Sequence, residues 1–312
     1  MSEQLQRLRR PFGRTELLVD PICIGTAELG FTQKSYGYTI DEERALATAR
    51  AIFAGPFNFV DTAALYGDGE SERRLGVALR ELGGLPAGFV LSTKAGRNPQ
   101  KDESLDADGV RRVVERSQRL LGLERLQMVF LHDPRFSTFE AVMAKGGPFE
   151  ALAGLRAQGV IQHLGVAELD VPLLRRYVET GEFEAVITHN RYNLLTQEAE
   201  PVIAAAQARG MGVMNAAPYG SGILAKGPAA FPRFQYHQAT PEILEKARRL
   251  EAVCQRHGVP LAAAALQFSL RDPRIHATDV GISRPERIQQ TLALSAWPIP
   301  EALWAETGNL IA

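Results

Sequence analysis

Four side chains capable of acid–base chemistry occur near the ends of apolar runs in the sequence. The runs at residues 57–61, 89–94 and 128–132 end in Asp61, Lys94 and His132, and Tyr66 follows the first run by five positions. Ionisable residues at the ends of buried strands are typical of the catalytic face of an α/β barrel. Consecutive parallel strands are usually neighbours. We therefore expect these four side chains to converge.

These residue types suit the transfer of a proton to or from a reacting oxygen. A phenol has a pKa of about 10, so Tyr66 is a weak acid and base at neutral pH until its neighbours adjust it. The Lys94 ammonium lowers the pKa of a nearby phenol, and Asp61 supplies the counter-ion that a partly desolvated lysine needs. His132 can orient the reacting oxygen or relay the proton. Together with a hydride donor, the set could reduce a carbonyl group.

Each of the four residues also has a simpler explanation when it is considered alone. Asp61 could cap a turn, His132 could belong to a turn stabilised by the following Asp-Pro, Lys94 could be a solvated loop residue, and Tyr66 could pack in the core. Their joint occurrence at neighbouring strand ends favours the catalytic interpretation.

Eight short apolar segments alternate with amphipathic segments along most of the chain. The predicted strands, whose composition is typical of strands covered on both faces, are Ile22–Gly25, Phe57–Asp61, Phe89–Lys94, Met128–His132, Gln162–Ala167, Ala185–Asn190, Gly212–Ala217 and Asp279–Ile282. The predicted helices are Asp41–Ala54, Glu70–Leu82, Asp108–Leu121, Phe149–Gln158, Val171–Glu179, Glu198–Arg209, Pro241–Arg256, Leu261–Leu270 and Pro285–Leu294. This alternation predicts an α/β fold, a single (β/α)8 TIM barrel over residues 1–312. A doubly wound open sheet is the alternative, but its glycine-rich turn is matched only weakly by Gly25-Thr-Ala-Glu-Leu-Gly30.

Additional segments are expected at both ends of this barrel. Residues 10–19 predict a short N-terminal hairpin that closes the floor. Three long connections, Ala27–Ile40, Asp133–Pro148 and Leu224–Thr240, follow the first, fourth and seventh strands, so they surround the C-terminal mouth. They are rich in aromatic residues, and the candidate substrate contacts among their side chains are Phe31, Tyr36, Phe136, Phe234 and His237.

Ordered motifs over nearly the whole chain resemble those of the aldo-keto reductase family. They are Asp61-Thr-Ala-x-x-Tyr66-Gly67-x-Gly-x-Ser71-Glu72, Ser92-Thr-Lys94, Leu131-His-Asp-Pro134, Pro218-x-Gly220-Ser-Gly222 and Gly281-x-Ser-x-Pro285-Glu286-Arg287. The resemblance implies that Asp61, Tyr66, Lys94 and His132 are a catalytic tetrad in which Tyr66 is the proton donor. It also implies a nicotinamide dinucleotide extended across the barrel mouth without a Rossmann domain. The segment 214–224 looks most like the aldose 1-dehydrogenase and pyridoxal 4-dehydrogenase branch, whose members oxidise sugar lactols or an aromatic carbinol. L-Fucose, L-galactose and D-threo-aldoses are thus candidate substrates.

The resemblance also implies a set of cofactor-binding residues, with departures from the family pattern. The candidates are Gly25, Thr26, Glu168, Asn190, Pro218, Gly220, Ser221, Gly222, Leu224, Ser283 and Arg287. Ala167-Glu168 replaces the Ser-Asn that often holds the nicotinamide carboxamide, and Ala216 replaces the aromatic residue that often stacks on the nicotinamide. Gly281 replaces a frequent lysine near the adenosine 2′-phosphate, but Arg287 is retained. The cofactor preference is therefore slightly for NADP(H), with NAD(H) as the alternative.

Composition excludes several other classes of function. The 312 residues carry a formal net charge of -1, which does not indicate nucleic-acid binding. No apolar stretch is long enough to span a membrane, the N-terminus does not resemble a secretory signal, and the two cysteines do not form a disulfide framework. No cluster has metal-ligand spacing, so no metal is expected. We predict a cytoplasmic protein, a monomer or weak homo-oligomer, that acts on a small carbonyl or sugar substrate.

A second hypothesis is a nicotinamide-binding regulatory subunit that senses redox state and turns over slowly. Related barrels serve ion channels in this way. The sequence contains no added tetramerisation segment or docking tail that would favour this alternative over an enzyme.

Overall fold

Eight parallel strands form a closed barrel in the computed structural model, which describes residues 9–30, 40–97 and 104–311. In chain order the barrel strands are β3 (Ile22–Gly25), β4 (Phe59–Asp61), β5 (Val90–Gly96), β6 (Leu126–His132), β7 (Ile161–Glu168), β8 (Ala185–His189), β9 (Gly212–Ala216) and β12 (Ala277–Gly281). Each strand pairs with the next, and β12 closes the ring by pairing with β3. The predicted barrel is confirmed, and every predicted strand overlaps an observed one.

Helices surround the barrel and connect its strands. They are α1 (Glu42–Phe53), α2 (Glu70–Glu81), α3 (Ala107–Leu121), α4 (Phe139–Met143), α5 (Pro148–Ala157), α6 (Val171–Glu179), α7 (Glu200–Gln207), α8 (Ile223–Lys226), α9 (Pro241–Arg256), α10 (Leu261–Leu270), α11 (Glu286–Ser295) and α12 (Glu301–Ile311). Helices α1, α3, α6 and α9 begin at Asp41, Asp106, Asp170 and Thr240, each of which accepts a hydrogen bond from a backbone N–H in the first turn. Helices α4, α8 and α12 were not predicted from the sequence. No helix in the described part of the chain is long and apolar enough to cross a membrane.

A short hairpin closes the floor of the barrel, as predicted. Strands β1 (Arg10–Pro11) and β2 (Leu18–Val19) are antiparallel. Phe12 lies between them, is fully buried, and packs edge-on against Phe59 of β4 with ring centroids 5.3 Å apart. A Cβ at Gly212 would lie 2.8 Å from the Phe12 ring, so the glycine at the start of β9 makes room for it.

Alternation along the strands decides which side chains reach the interior of the barrel. The inward residues of the lower and middle layers are mostly apolar and include Phe59, Met128, Phe130 and Met214. Because successive side chains point to opposite faces, the uppermost inward residues follow from the same register: Gly25, Asp61, Lys94, His132, Ala167, His189, Ala216 and Asp279. The C-terminal mouth of the barrel is therefore lined by small and ionisable side chains.

Two of the long connections at this mouth contain regular structure. The connection after β9 contains a second small hairpin, β10 (Arg233–Phe234) with β11 (His237–Gln238). The connection after β6 contains α4. Most of the connection after β3, residues 31–39, lies outside the described residues.

Candidate active site

Lys94 joins three groups at the mouth of the barrel. Its ammonium bonds to the Asp61 carboxylate, donates to the backbone oxygen of Thr62 at 2.8 Å, and lies 3.2 Å from the Tyr66 hydroxyl. The other Asp61 oxygen accepts from Ser92 Oγ at 2.7 Å. Both charged side chains are almost completely buried, and every oxygen of the carboxylate has a partner. The structure thus brings together the acid, the amine and the phenol that the sequence predicted.

Tyr66 reaches this position because the turn before α2 packs tightly against the first connection. Gly67 has a left-handed conformation, with φ of 60°, and a Cβ there would lie 1.6 Å from the carbonyl oxygen of Gly30. A Cβ at Gly30 would likewise lie 2.4 Å from the Tyr66 carbonyl carbon. The two backbones touch where only glycine fits, and this contact fixes the phenol above β4 and β5.

His132 is the last residue of β6 and completes the group. Its imidazole lies edge-on to the Tyr66 ring, with centroids 6.2 Å apart and planes at 88°. Burial lowers the pKa of His132, and the nearby Asp133 carboxylate only partly offsets this effect. The imidazole is therefore neutral at neutral pH and can donate or accept a hydrogen bond at the substrate oxygen.

The net shift in the pKa of Tyr66 is opposite to the one expected from Lys94 alone. Burial raises the pKa of Tyr66 above its ordinary value, and the Lys94 ammonium lowers it by a smaller amount. Burial is the largest single influence on the pKa of Lys94 and lowers it, but the charges of Asp61, Tyr66 and Asp279 together outweigh burial and raise it. The predicted influence of Lys94 on the phenol has the expected sign, but it does not dominate. At neutral pH the site holds a neutral phenol beside an ammonium.

Two acidic residues at the mouth were not recognised as site residues from the sequence. Asp279 faces inward from the middle of β12, and a Cβ at Gly25 would lie 2.5 Å from its Oδ1. Burial raises the pKa of Asp279 well above its ordinary value, and Asp61 raises it further. Glu28, just after β3, lies so close to β12 that a Cβ at Gly281 would be 2.2 Å from its Oε1. Asp279 Oδ1 and Glu28 Oε2 are buried, and neither atom has a hydrogen-bond partner in the part of the chain that the structure describes.

One cavity connects these groups with the opposite side of the mouth. It has a volume of about 600 Å³ and extends from Tyr66, Lys94 and His132 past the ends of β9 and β12 to α11. Its lining at the far end includes Ser283, Arg287, Gln290 and Thr291. The size falls within the usual range for small-molecule and cofactor sites.

The residues that the resemblance assigns to the cofactor divide into two groups. Those that line the cavity are Gly25, Glu168, Pro218, Ser221, Gly222, Ser283 and Arg287, whereas Thr26, Asn190, Gly220 and Leu224 do not line it. Thr26 donates from Oγ1 to the backbone oxygen of Asp61 at 2.9 Å. Leu224 is fully buried in the apolar layer beneath the loop. These two residues support the wall of the cavity from behind.

Glu168 lines the cavity, but its carboxylate is already occupied. It accepts hydrogen bonds from the backbone N–H groups of Arg135, Leu169 and Asp170, and it forms an ion pair with the Arg135 guanidinium at 2.7 Å. These contacts tie the loop after β6 to the loop after β7. In this structure the carboxylate of Glu168 therefore serves the loop geometry, rather than being a free acceptor for a carboxamide.

On β8 the last inward residue is His189, and Asn190, which follows the strand, does not line the cavity. Asn190 donates from Nδ2 to Ser221 Oγ at 3.0 Å, and His189 Nε2 lies 2.7 Å from the Tyr236 hydroxyl. The His189 and Tyr236 rings are nearly parallel, with centroids 5.7 Å apart. Burial lowers the pKa of His189 to about 4, so the imidazole is uncharged at neutral pH. Continuing the alternation from Ala185 would have identified His189 as the inward residue.

The predicted aromatic contacts are mostly replaced by neighbours in the same loops. Among the described candidates, Phe136, Phe234 and His237 do not line the cavity, and Phe31 and Tyr36 lie outside the described residues. Phe136 is about half exposed, between the guanidinium groups of Arg97 and Arg135. The aromatic side chains that line the cavity are Tyr66, Tyr219, Phe231 and Tyr236. Tyr236 reaches it because it occupies the tip of the β10–β11 hairpin with φ of 67°.

A family model for the Aldo/keto reductase family matches residues 21–311 of the chain. The chain is 34% identical over 316 residues to D-threo-aldose 1-dehydrogenase from Pseudomonas sp, covering 93% of each protein. It is 31% identical over 334 residues to pyridoxal 4-dehydrogenase from Microbacterium luteolum, covering 95% of each. The holo form of aldo-keto reductase AKR11C1 from Bacillus halodurans superposes with a TM-score of 0.78 at 20% identity, over 97% of this chain and 96% of that one.

These matches and the barrel with its Asp–Tyr–Lys–His site define a nicotinamide-dependent oxidoreductase. The protein belongs to the aldo-keto reductase family. The cavity fits the dinucleotide that the family uses, because it has the volume of a cofactor site and its lining includes Arg287 and Ser283 as well as Tyr66. Positive φ angles at Ser221 and Gly222 turn the loop after β9 along its wall.

Proposed function

We propose that the protein catalyses the reversible oxidation of a sugar lactol at its hydroxyl-bearing carbon, with NAD(P)+ as the hydride acceptor. The lactol loses a hydride from carbon and a proton from oxygen, which gives a lactone, NAD(P)H and H+. Aldoses of the L-fucose, L-galactose or D-threo type are the proposed substrates. The observation that carries this proposal is the buried Lys94 ammonium, which joins the Asp61 carboxylate to the Tyr66 phenol at the cavity mouth.

The protein residues supply positioning and proton transfer. The nicotinamide ring, when bound, exchanges the hydride with the substrate carbon. His132 holds the reacting oxygen by a hydrogen bond, and Tyr66 exchanges the proton with that oxygen. Lys94 stabilises negative charge on the phenol oxygen as the proton moves, while Asp61 keeps the lysine charged in a buried position. A raised pKa favours the neutral phenol, which suits proton donation in the reducing direction.

Polar groups on the cavity wall support a polyhydroxylated substrate. His189 and Tyr236 present an imidazole and a phenol opposite the tetrad, and Asp133 and Arg135 line the same space. Hydroxyl, imidazole and carboxylate groups match the donors and acceptors of sugar hydroxyls. The similarity to D-threo-aldose 1-dehydrogenase supports the same class of substrate.

Dinucleotide binding involves Ser221 and Gly222 along the cavity and Ser283 and Arg287 at its far end. The guanidinium of Arg287 favours NADP(H), as the sequence suggested. The neighbouring carboxyl group of Glu28 opposes that preference.

Steady-state assays test the proposal. L-Fucose, L-galactose and D-arabinose are compared with pyridoxal and simple aldehydes, each with both dinucleotides in the appropriate direction. We expect rapid multiple turnover with at least one aldose. Exclusive activity on simple aldehydes, or a single slow turnover of bound cofactor, would contradict the proposal and favour a general reductase or a redox sensor.

Two variants examine the assigned roles in the same assays. Tyr66→Phe should bind both dinucleotides normally and lose turnover with every substrate, because the acid is removed. Tyr236→Phe should lower kcat/KM for aldoses by about three- to tenfold, the effect of one neutral hydrogen bond, and leave simple aldehydes unchanged. Equal losses of kcat/KM for aldoses and for simple aldehydes would show that Tyr236 does not recognise the sugar.

A further inference from the structure

Among the described residues, four cationic side chains line the cavity, and one of them is well placed for an additional phosphate. They are Lys94, Arg135, Lys226 and Arg287. Lys94 is paired with Asp61, and Arg135 is paired with Asp133 and Glu168. Lys226 lies over the Phe231 ring at 4.4 Å. Arg287 forms no ion pair with any described residue, and it lies at the end of the cavity remote from the tetrad. A phosphate on the adenosine ribose would therefore approach Arg287.

Glu28 faces the same part of the cavity. Its Oε1 occupies the space that a Cβ would fill at position 281, and this space is free because residue 281 is a glycine. Its Oε2 is buried and has no hydrogen-bond partner among the described residues. Arg287 is close enough to lower the pKa of Glu28, although burial dominates and raises it to about 7. A carboxyl group thus lies near Arg287, a cavity cation that has neither an acidic partner nor an aromatic ring contact among the residues that the structure describes.

The two dinucleotides differ at one place. NADP(H) carries a doubly charged phosphate on the 2′ oxygen of the adenosine ribose, where NAD(H) carries a hydroxyl. A carboxylate in a poorly solvated site repels a phosphate, whereas it accepts hydrogen bonds from the two hydroxyls of an unmodified ribose. An acceptor that lacks a partner in the protein gains one when a ribose diol binds beside it.

We propose that Glu28 is a specificity-determining residue that makes the protein prefer NAD(H) over NADP(H), by accepting from the ribose diol and repelling a 2′-phosphate held near Arg287. This inference rests on the proposed function only in that the protein binds a nicotinamide dinucleotide in this cavity. It reverses the slight preference for NADP(H) that Arg287 suggests when the sequence is considered alone.

Equilibrium binding tests the inference independently of turnover. Dissociation constants for NADH and NADPH are measured by fluorescence titration at a pH of about 8, where carboxyl groups are ordinarily ionised. We expect the unmodified protein to bind NADH at least about tenfold more tightly than NADPH. Glu28→Gln and Glu28→Ala should tighten NADPH binding by about tenfold or more and weaken NADH binding. Glu43→Gln, which removes an exposed acid on α1, should change neither constant.

A further variant tests where the phosphate lies. Arg287→Met in the Glu28→Gln background should weaken NADPH binding much more than NADH binding. Equal or tighter binding of NADPH by the unmodified protein would overturn the proposal, as would an NADH-to-NADPH ratio that neither Glu28 variant changes. Failure of both dinucleotides to bind would instead contradict the proposed function.

Discussion

Burial makes the chemistry of the tetrad depend on how its charges are balanced. Asp61 and Lys94 offset one another within the barrel, so the ammonium stays charged where burial alone would favour the neutral amine. The phenol has no full counter-ion of its own, and burial raises its pKa. Lys94 is the one described neighbour whose charge favours the phenolate. Its effect should therefore be visible in the pH dependence of the reaction.

Replacing Lys94 with methionine tests this effect. Without the ammonium the pKa of Tyr66 rises further, so the phenol accepts a proton from substrate less readily. We expect the oxidation rate to fall by about 10²–10⁴-fold, the usual contribution of a positioned acid or base, and its rise with pH to move to higher pH. The check is a pH–rate profile in the oxidative direction, with Lys226→Met as a control. An unchanged profile would show that Lys94 does not tune the phenol.

Turns rather than strands determine the finest geometry of the site. The strand register places Asp61, Lys94 and His132, but Tyr66 depends on the contact between Gly67 and Gly30, and Tyr236 depends on a hairpin tip. Both positions require left-handed backbone at or beside the functional residue. Such turns transmit small changes of backbone directly to the reacting groups.

Gly67→Ala and Gly83→Ala form a matched pair that tests this dependence. Both glycines have positive φ, so alanine costs about 1–2 kcal/mol of backbone strain at each. Only at Gly67 would the new Cβ collide with backbone, because nothing lies within 4 Å of a Cβ at Gly83. We expect Gly67→Ala to lower kcat and stability, and Gly83→Ala to lower stability alone. Urea unfolding measures the stability of each variant, and steady-state assays measure its kcat. Equal kcat values for the two variants would contradict the argument.

The strands could be predicted from the sequence because local pattern determines them. Apolar runs identified all eight barrel strands, and the ionisable residues at three of their ends are among the groups that the structure brings together at the mouth. The predicted bounds of the strands were less accurate. Strand β12 begins at Ala277, two residues before the predicted start. Asp279 was therefore taken for the first residue of the strand, and the inward direction of its side chain was missed. An acidic residue in the middle of a buried strand is the sequence signal that could have revealed Asp279 as a site residue. Glu28 could not have been recognised, because its position depends on the packing of a loop against β12.

At the scale of the whole molecule, the buried acids affect stability as well as recognition. Burial raises the pKa of Glu28 to about 7, so the folded protein holds a proton there over a pH range in which the unfolded chain has lost it. The contribution of this group to stability is therefore fully present below the unfolded pKa and is lost as pH rises through the folded value.

The Glu28→Gln variant should not lose this contribution to stability as the pH rises. We expect the variant to gain stability relative to the unmodified protein by roughly 1–3 kcal/mol as pH rises from about 5 to about 8, and to differ little at the acidic end. Urea denaturation at several pH values measures the difference, and the other buried acids cancel because both proteins contain them. A difference that stays constant with pH would show that the Glu28 carboxyl is not protonated in the folded state.

The pairing of β12 with β3 has a consequence for the order in which the protein matures during synthesis. Gly281 pairs with Gly25, although the two are separated by most of the chain. The strands that carry Asp61, Lys94 and His132 emerge early from the ribosome, whereas the wall beside Glu28 exists only once the eighth strand has been made. The groups that we propose for proton transfer are therefore synthesised well before the strand that completes the proposed site of coenzyme selection.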